Sequence, residues 1–155
     1  MFNLNVPYLI RGKSQKPADG GCIMQVVDWV STNGWTDQPL CVDATLRDHA
    51  IAVNDFVVDE QRQRLLDFVP RLLNTWIDDP RERDRVQQAL AQRWNAEMMQ
   101  FNSDFPDQGF GNWSERSERI ILVFEALLDL YDELMGRPKS TEQVDLSALC
   151  ALQTA

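Results

Sequence analysis

Two cysteines and the single histidine are the residues in the first half of the chain whose types could do chemistry together. Cys22, Cys41 and His49 lie within one stretch of 28 residues. Thiolate sulfur and imidazole nitrogen are good zinc ligands, and a cysteine beside a histidine can also act as a nucleophile with its base. These residues leave open a thiol- or metal-dependent enzyme that uses Cys22 or Cys41 with His49.

The spacing of these residues nevertheless favours a structural role. Structural zinc sites normally carry their ligands in closely spaced pairs, and the three cysteines, Cys22, Cys41 and Cys150, form no CxxC pattern. The two nearer cysteines and the histidine also fall on or beside apolar stripes of predicted helices. We therefore predict reduced, packed thiols, with no metal, no cofactor and no enzymatic activity.

Four carboxylates recur at three- and four-residue spacing towards the end of the last long helix: Glu125, Asp129, Asp132 and Glu133. A di-iron bundle would also need Glu-x-x-His motifs, and the single histidine is not in one. Like charges at this spacing cost a helix some stability. The pattern predicts a solvated acidic face, which suits a basic protein partner.

Five tryptophans are many for a chain of this length. Trp76 and Trp94 continue apolar stripes and are predicted to lie in the core. Trp29 lies at the rim of its stripe, and the other two lie in predicted loops. Exposed aromatic side chains are enriched at protein interfaces. Together with the acidic face, they predict a protein-binding surface built from Trp29, Trp35, Trp113, Glu125, Asp129 and Asp132.

The overall charge excludes some partners. A net charge of −9 and a pI near 4.5 argue against direct nucleic-acid binding and against an anionic membrane surface, because both need clustered Lys and Arg. No apolar run approaches the roughly 20 residues of a membrane span. The first residues lack the basic start of a signal peptide. We expect a cytoplasmic protein.

Apolar residues recur at three- and four-residue spacing in five stretches, which predicts five helices separated by turns. The stripes are Cys22-Val26-Val30, Leu46-Ala50-Val53-Val57, Leu65-Val69-Leu72-Trp76, Val86-Leu90-Trp94-Met98 and Ile120-Phe124-Leu127-Tyr131-Leu134. The last stripe has a heptad-like spacing that would also suit a homodimer.

The predicted fold is all-α, an irregular bundle of five to six helices with an extended N-terminal arm. We divide it into the arm (1–18), a helical domain (19–136) and a short final helix or tail (137–155). Helices are predicted to begin at Gly20 or Gly21 and at caps Asp43, Asp59 and Asp79, and the last to begin between Asn112 and Ser117 and end at Gly136. Pro70 should kink or split the third helix.

Part of the chain, roughly 18–86, resembles an uncharacterised family of small proteins from actinobacteria and their phages. The family pattern is matched at Gly20, Gly21, Cys22, Met24, Asp37, Pro39, Cys41, Val53, Asn54, Asp55, Arg62, Arg64, Leu65 and Pro70. Two histidines of the pattern are replaced by Gln38 and Asp43, which weakens a turn-based metal site. The family has no established activity, so the resemblance implies origin, and its Asn-Asp and Arg positions suggest a network joining the second and third helices.

These observations predict a small acidic accessory protein, of phage or actinobacterial origin, that acts by binding another protein. One alternative is an acidic mimic of DNA that occupies a nucleic-acid-binding protein. The other is the thiol- or metal-dependent enzyme.

Overall fold

The computed structural model describes residues 6–106 and 111–138, and this part of the chain is an irregular all-α bundle, as predicted. Its helices are α1 (Ile23–Thr32), α2 (Ala44–Phe56), α3 (Asp59–Arg62), α4 (Val69–Leu72), α5 (Pro80–Asp104) and α6 (Trp113–Met135). Two 3₁₀ segments cover Pro17–Asp19 and Gln63–Phe68. The predicted final helix after Ser140 lies outside the described residues.

The core forms where α1, α2, α4 and α6 meet, and α6 contributes its largest side chains. Phe124 and Tyr131 are almost completely buried, and Ile23 and Met24 of α1 pack into the same cluster. The apolar stripe of α6 is therefore used inside the single chain. A dimer of intact chains has to use another surface.

Two of the three aspartates predicted as helix caps, Asp43 and Asp79, are confirmed. The Asp43 carboxylate accepts hydrogen bonds from the backbone N–H groups of Thr45 (2.9 Å) and Leu46 (3.0 Å). Asp79 accepts from the N–H of Arg81 at 2.9 Å, with Pro80 in the first turn.

The predicted cap at Asp59 is wrong. Val58 is the N-cap of α3, and its backbone N–H donates to Ser117 Oγ of α6 at 3.0 Å. Asp59 instead opens the helix and pairs with Arg62, one turn on. The Asp59 carboxylate therefore binds Arg62 instead of the first-turn N–H groups that a capping aspartate would accept from.

The chain around Pro70 is broken, as expected. A 3₁₀ segment separates α3 from α4, and α4 ends at Leu72. Asn74 then takes a positive φ of 58°, which turns the chain away from the helix axis. Trp76 is consequently off the apolar stripe and 46% exposed, so its prediction as a core residue is wrong.

The described part of the N-terminal arm, from residue 6 onward, lies against the start of α1 as a strand-like segment. Ile10 N donates to Gly21 O at 2.9 Å, and Gly21 N donates to Tyr8 O at 3.0 Å. A Cβ on Gly21 would come within 2.5 Å of the Trp35 ring, so only glycine allows this approach. The first helix begins at Ile23 rather than at the glycines because their backbones serve the arm.

Candidate protein-binding surfaces

Cys22 is a buried capping residue of α1. Its side chain accepts from the backbone N–H of Gln25, and the Gln25 amide oxygen accepts from the Cys22 N–H at 3.2 Å. Burial raises the pKa of the Cys22 thiol, although hydrogen bonds from Gln25 and Met24 act in the opposite direction. A thiol with a raised pKa is protonated at neutral pH and is a poor nucleophile.

His49 packs between α2 and α5. Its Nδ1 lies 2.6 Å from the carbonyl oxygen of Thr45, and its ring stands edge-on to Trp94 with centroids 4.3 Å apart. Cys41 lies in the loop before α2, where its carbonyl accepts from the N–H of Trp76 at 3.0 Å. Within residues 6–106 and 111–138, no three His, Cys, Asp or Glu side chains are placed to hold a metal ion.

The network predicted between the second and third helices is present for Arg62. Its Nε donates to the carbonyl of Asn54 at 2.8 Å, and a second guanidinium nitrogen donates to the carbonyl of Val57. Only 4% of Arg62 is exposed, so these bonds satisfy a buried charge. Arg64 is not part of this network, because it points outward and forms an ion pair with Glu118 of α6.

Side-chain amides bind the backbone of the described part of the N-terminal arm. Gln63 both accepts from the N–H of Leu9 (3.0 Å) and donates to its carbonyl (2.7 Å). Asn54 donates to the carbonyl of Ile10 at 2.8 Å, and Gln25 donates to that of Ser14 at 2.8 Å. These amides take the place of a neighbouring strand for residues 9–14, so this part of the arm is packed as part of the fold.

The tryptophans divide into three packed and two exposed side chains. Trp35 lies over Gly21 and donates from Nε1 to Ser14 O at 3.1 Å, so this loop tryptophan is turned inward. Trp29 and Trp94 are partly buried against the core. The exposed pair consists of Trp113 (45%) and Trp76 (46%).

Trp113 marks the start of α6. Its ring lies 5.8 Å from that of Phe56, and the Arg116 guanidinium lies 5.1 Å from its centroid. The Arg83 guanidinium likewise lies 4.7 Å from the centroid of the Trp76 ring. Leu40 is 92% exposed and precedes Cys41, whose carbonyl accepts from the Trp76 N–H. Neither Trp76 nor Leu40 was predicted as a surface residue, because the first continues a helical spacing and the second lies in an ordinary turn.

The outer face of α6 carries most of the predicted acidic surface. We define this face by the residues that follow one another at three- and four-residue spacing on the solvent side: Glu115, Glu118, Leu122, Glu125, Asp129 and Glu133. Leu122 is 51% exposed in the middle of the row. The face is therefore acidic with a central apolar side chain.

Two arginines, Arg64 of the second 3₁₀ segment and Arg71 of α4, form ion pairs with carboxylates of α6. Arg71 donates to Asp129 and to Asp132, each at 2.8 Å, and Arg64 pairs with Glu118. Asp132 is only 5% exposed, so the prediction that it belongs to the solvated face is wrong. It lies on the side of α6 that contacts Arg71 of α4, and a carboxylate buried there requires a cationic partner.

No protein-family model, curated protein or solved structure matches the chain. Among the described residues, no helix combines the length and the apolar character needed to cross a membrane.

Proposed function

We propose that this chain is an accessory protein that acts by binding another protein through the outer face of α6. The supporting observation is the half-exposed Leu122, with Glu118 and Glu125 one turn away on either side. An isolated exposed leucine is common on protein surfaces. A leucine centred in a carboxylate row, on a helix that begins with the exposed Trp113, has the composition of a contact surface with a charged rim.

The partner that fits this face is a basic protein surface with an apolar pocket. Carboxylates around Leu122 would attract lysines and arginines and speed up encounter, while the leucine would fill the pocket. Arg64 and Arg71 hold Glu118 and Asp129 in place before binding, so less side-chain freedom is lost on contact.

The charge density of the face gives less support to a DNA mimic. From Glu115 to Glu133 the helix rises about 27 Å, at roughly 1.5 Å per residue. A DNA duplex carries roughly 16 phosphates over that length, at one per about 1.7 Å. The face carries five carboxylates, and Arg64 and Arg71 pair with two of them. This pattern suits a discrete protein contact better than a phosphate lattice.

The thiol- or metal-dependent alternative receives no support from the geometry. Cys22 is buried with a raised pKa, and His49 is engaged by Thr45 and Trp94. A cytoplasmic location and an origin in an actinobacterium or its phage remain part of the proposal. They rest on the acidic composition and on the Gly20–Cys22 and Asn54–Arg62 resemblance.

The test is capture from an actinobacterial lysate with matched variants of the tagged protein. Wild type should retain a basic protein at one-to-one stoichiometry, and Leu122→Ser and Glu125→Lys should each lose it. Glu60→Lys, which makes the same charge change at an exposed position of α3, should retain it. Thermal unfolding of each variant would confirm that its fold is intact.

Equal retention by wild type, Leu122→Ser and Glu125→Lys would contradict α6 as the contact surface. The absence of any stoichiometric protein with well-folded wild type would contradict the proposed function itself.

A further inference from the structure

The turn that follows α1 contains an asparagine followed directly by a glycine. Asn33 is the C-cap of α1 and adopts the left-handed conformation, with φ 61° and ψ 17°. Its side chain is exposed, and Gly34 has no Cβ beside its backbone nitrogen. A side-chain amide next to an unhindered peptide nitrogen can react with it within the chain, because the two groups are held close together.

The reaction is an intramolecular deamidation. The backbone nitrogen of Gly34 attacks Cγ of Asn33, and the new N–C bond closes a cyclic succinimide. The bond from Cγ to the amide nitrogen breaks, and this nitrogen leaves as ammonia with the proton that the Gly34 nitrogen loses. Water then opens the succinimide at either carbonyl, which gives aspartate or isoaspartate. Water is the only co-reactant.

We propose that Asn33 deamidates spontaneously in the folded protein, at a rate that the Asp28 carboxylate limits by holding the turn closed. The described residues include five other asparagines, each followed by a residue with a side chain: Asn54, Asn74, Asn95, Asn102 and Asn112. Asn33 is therefore the asparagine of the described chain whose neighbouring peptide nitrogen is least hindered.

Asn74 is the internal comparison that isolates the effect of the following residue. It is also exposed and also takes a positive φ, of 58°. The residue after it is Thr75, which is fully buried and donates from Oγ1 to the carbonyl of Leu72 at 2.9 Å. Its branched Cβ stands beside the peptide nitrogen and is fixed by this packing, so attack on the Asn74 amide is hindered.

Hydrogen bonds to Asp28 restrain the turn on both sides of the Asn33–Gly34 peptide. The Asp28 carboxylate is largely buried and accepts from Thr32 Oγ1 and from the N–H of Thr36, each at 3.0 Å. The N–H of Gly34 donates to Thr32 Oγ1 at 3.2 Å. At a ψ of 17° the Gly34 nitrogen is turned away from the Asn33 side chain, so rotation about the Asn33 Cα–C bond must precede the attack. The reaction therefore requires a local opening of the turn.

Conversion would change the contact between this turn and the N-terminal arm. The new carboxylate lies at the C-terminal end of α1, where the helix dipole is already unfavourable for negative charge. Isoaspartate also lengthens the main chain next to Trp35, which lies over Gly21 and donates to the carbonyl of Ser14. We expect the converted protein to have a lower Tm than the fresh protein.

Incubation of the folded protein at constant pH and temperature, followed by peptide mass spectrometry, tests the site. Conversion raises the mass of a peptide by the difference between water and ammonia. Methyl transfer from S-adenosylmethionine by an isoaspartyl methyltransferase labels the isoaspartate product. Conversion at Asn33 should be at least about tenfold faster than at Asn74.

A matched pair of variants links the chemical change to the whole protein. Asn33→Gly keeps a residue suited to the left-handed conformation and removes the reactive amide. The acidic form that develops in wild type on isoelectric focusing should be absent from this variant. Asn74→Gly makes the same change at the other left-handed asparagine and should still develop the acidic form.

The restraint by Asp28 has its own test. A synthetic peptide of residues 29–37 gives the rate without the fold, and Asn33 in the folded protein should convert at least about tenfold more slowly than in this peptide. Asp28→Asn removes one acceptor of the carboxylate and should move the rate towards that of the peptide. Asp84→Asn makes the same substitution at an exposed position of α5 and should leave the rate unchanged. Thermal unfolding of each variant would confirm that it is folded.

An Asn33 that stays unmodified in the folded protein while the peptide converts fully would overturn the proposal, as would equal conversion at Asn33 and Asn74. A folded Asp28→Asn variant that converts at the wild-type rate would overturn the role of Asp28. The proposal does not depend on the function assigned to α6, since the turn and that helix use different residues.

Discussion

The two long helices α5 and α6 are neighbours of similar length, and their outer faces are opposite in character. On α6, four of the five exposed residues between positions 115 and 133 are glutamates, and the fifth is Leu122. On α5, eight of the nine exposed residues between 88 and 103 are uncharged. Folding constrains the inner face of a helix, so a difference between outer faces is informative about binding.

The inner faces differ as well. α6 buries ten residues, including Phe124 and Tyr131, whereas α5 buries three. α6 therefore lies at the centre of the bundle, and α5 is a peripheral helix. This contrast predicts that α6 determines stability from within and that substitutions on the solvent side of α5 leave stability almost unchanged.

The largest expected effect is the loss of an α6 core side chain. Phe124 is fully buried and stands edge-on to Phe68 with centroids 5.4 Å apart. Phe124→Ala should lower the free energy of unfolding by about 3–5 kcal/mol, because it removes apolar contacts and leaves a cavity. Met99→Ala on the outer face of α5 should change it by about 0.5 kcal/mol or less. Urea unfolding of the two variants and wild type measures both changes, and similar losses would contradict the contrast.

Breaking an ion pair of α6 should lower the free energy of unfolding more than breaking one of α5. This difference should be smaller than the difference between the two apolar substitutions. Arg71→Met leaves Asp132 buried with Arg137 as the remaining nearby cation, 3.6 Å away, and should cost about 2–3 kcal/mol. Arg93→Met breaks the exposed pair with Glu97 and should cost about 0.3–0.5 kcal/mol. Thermal and urea unfolding of the two variants test this, and an Arg71→Met variant as stable as wild type would show that Asp132 is solvated.

The start of each helix provides a third comparison. Asp79 caps α5 through a bond of 2.9 Å to the N–H of Arg81, and Asn112 caps α6 through a bond of 3.2 Å to that of Glu115. Asp79→Ala should cost about 1 kcal/mol and Asn112→Ala about 0.5 kcal/mol, because the carboxylate also interacts with the helix dipole. Salt should narrow the gap between the two variants, and a larger loss for Asn112→Ala at low salt would contradict this reasoning.

Local sequence signals predicted the helical architecture. The apolar stripes predicted each long helix, and the caps Asp43 and Asp79 predicted where two of them start. Gly136 predicted the end of α6, where it adopts the left-handed conformation. These features depend on residues within one or two turns of each other, so the sequence carries them directly.

The surfaces were predicted less well because they depend on contacts between distant segments. Trp76 is exposed since α4 ends early, and Asp132 is buried since Arg71 reaches it across 61 positions. The amide clamp of Gln63 on Leu9 joins residues 54 positions apart. Helical spacing identifies the side of a helix that a residue occupies, but it does not identify the partner segment that covers it.

The smallest expected effect comes from the surface charge of α6 itself. The side-chain hydrogen bond from Arg64 holds the pKa of Glu118 below its ordinary value, and both side chains are about half exposed. Because the folded pKa is lower than the unfolded one, the pair stabilises the fold above the unfolded pKa and loses its effect as the pH falls through the folded pKa. Glu118→Gln should therefore lower Tm slightly at neutral pH and match wild type in acid. Arg64→Gln and the double variant should show the same small loss as Glu118→Gln at neutral pH, since each removes one interaction. A difference in Tm between Glu118→Gln and wild type that persists below the folded pKa would show that Glu118 stabilises the fold through packing rather than charge. The charges of the acidic row on α6 would then have only the proposed role in binding.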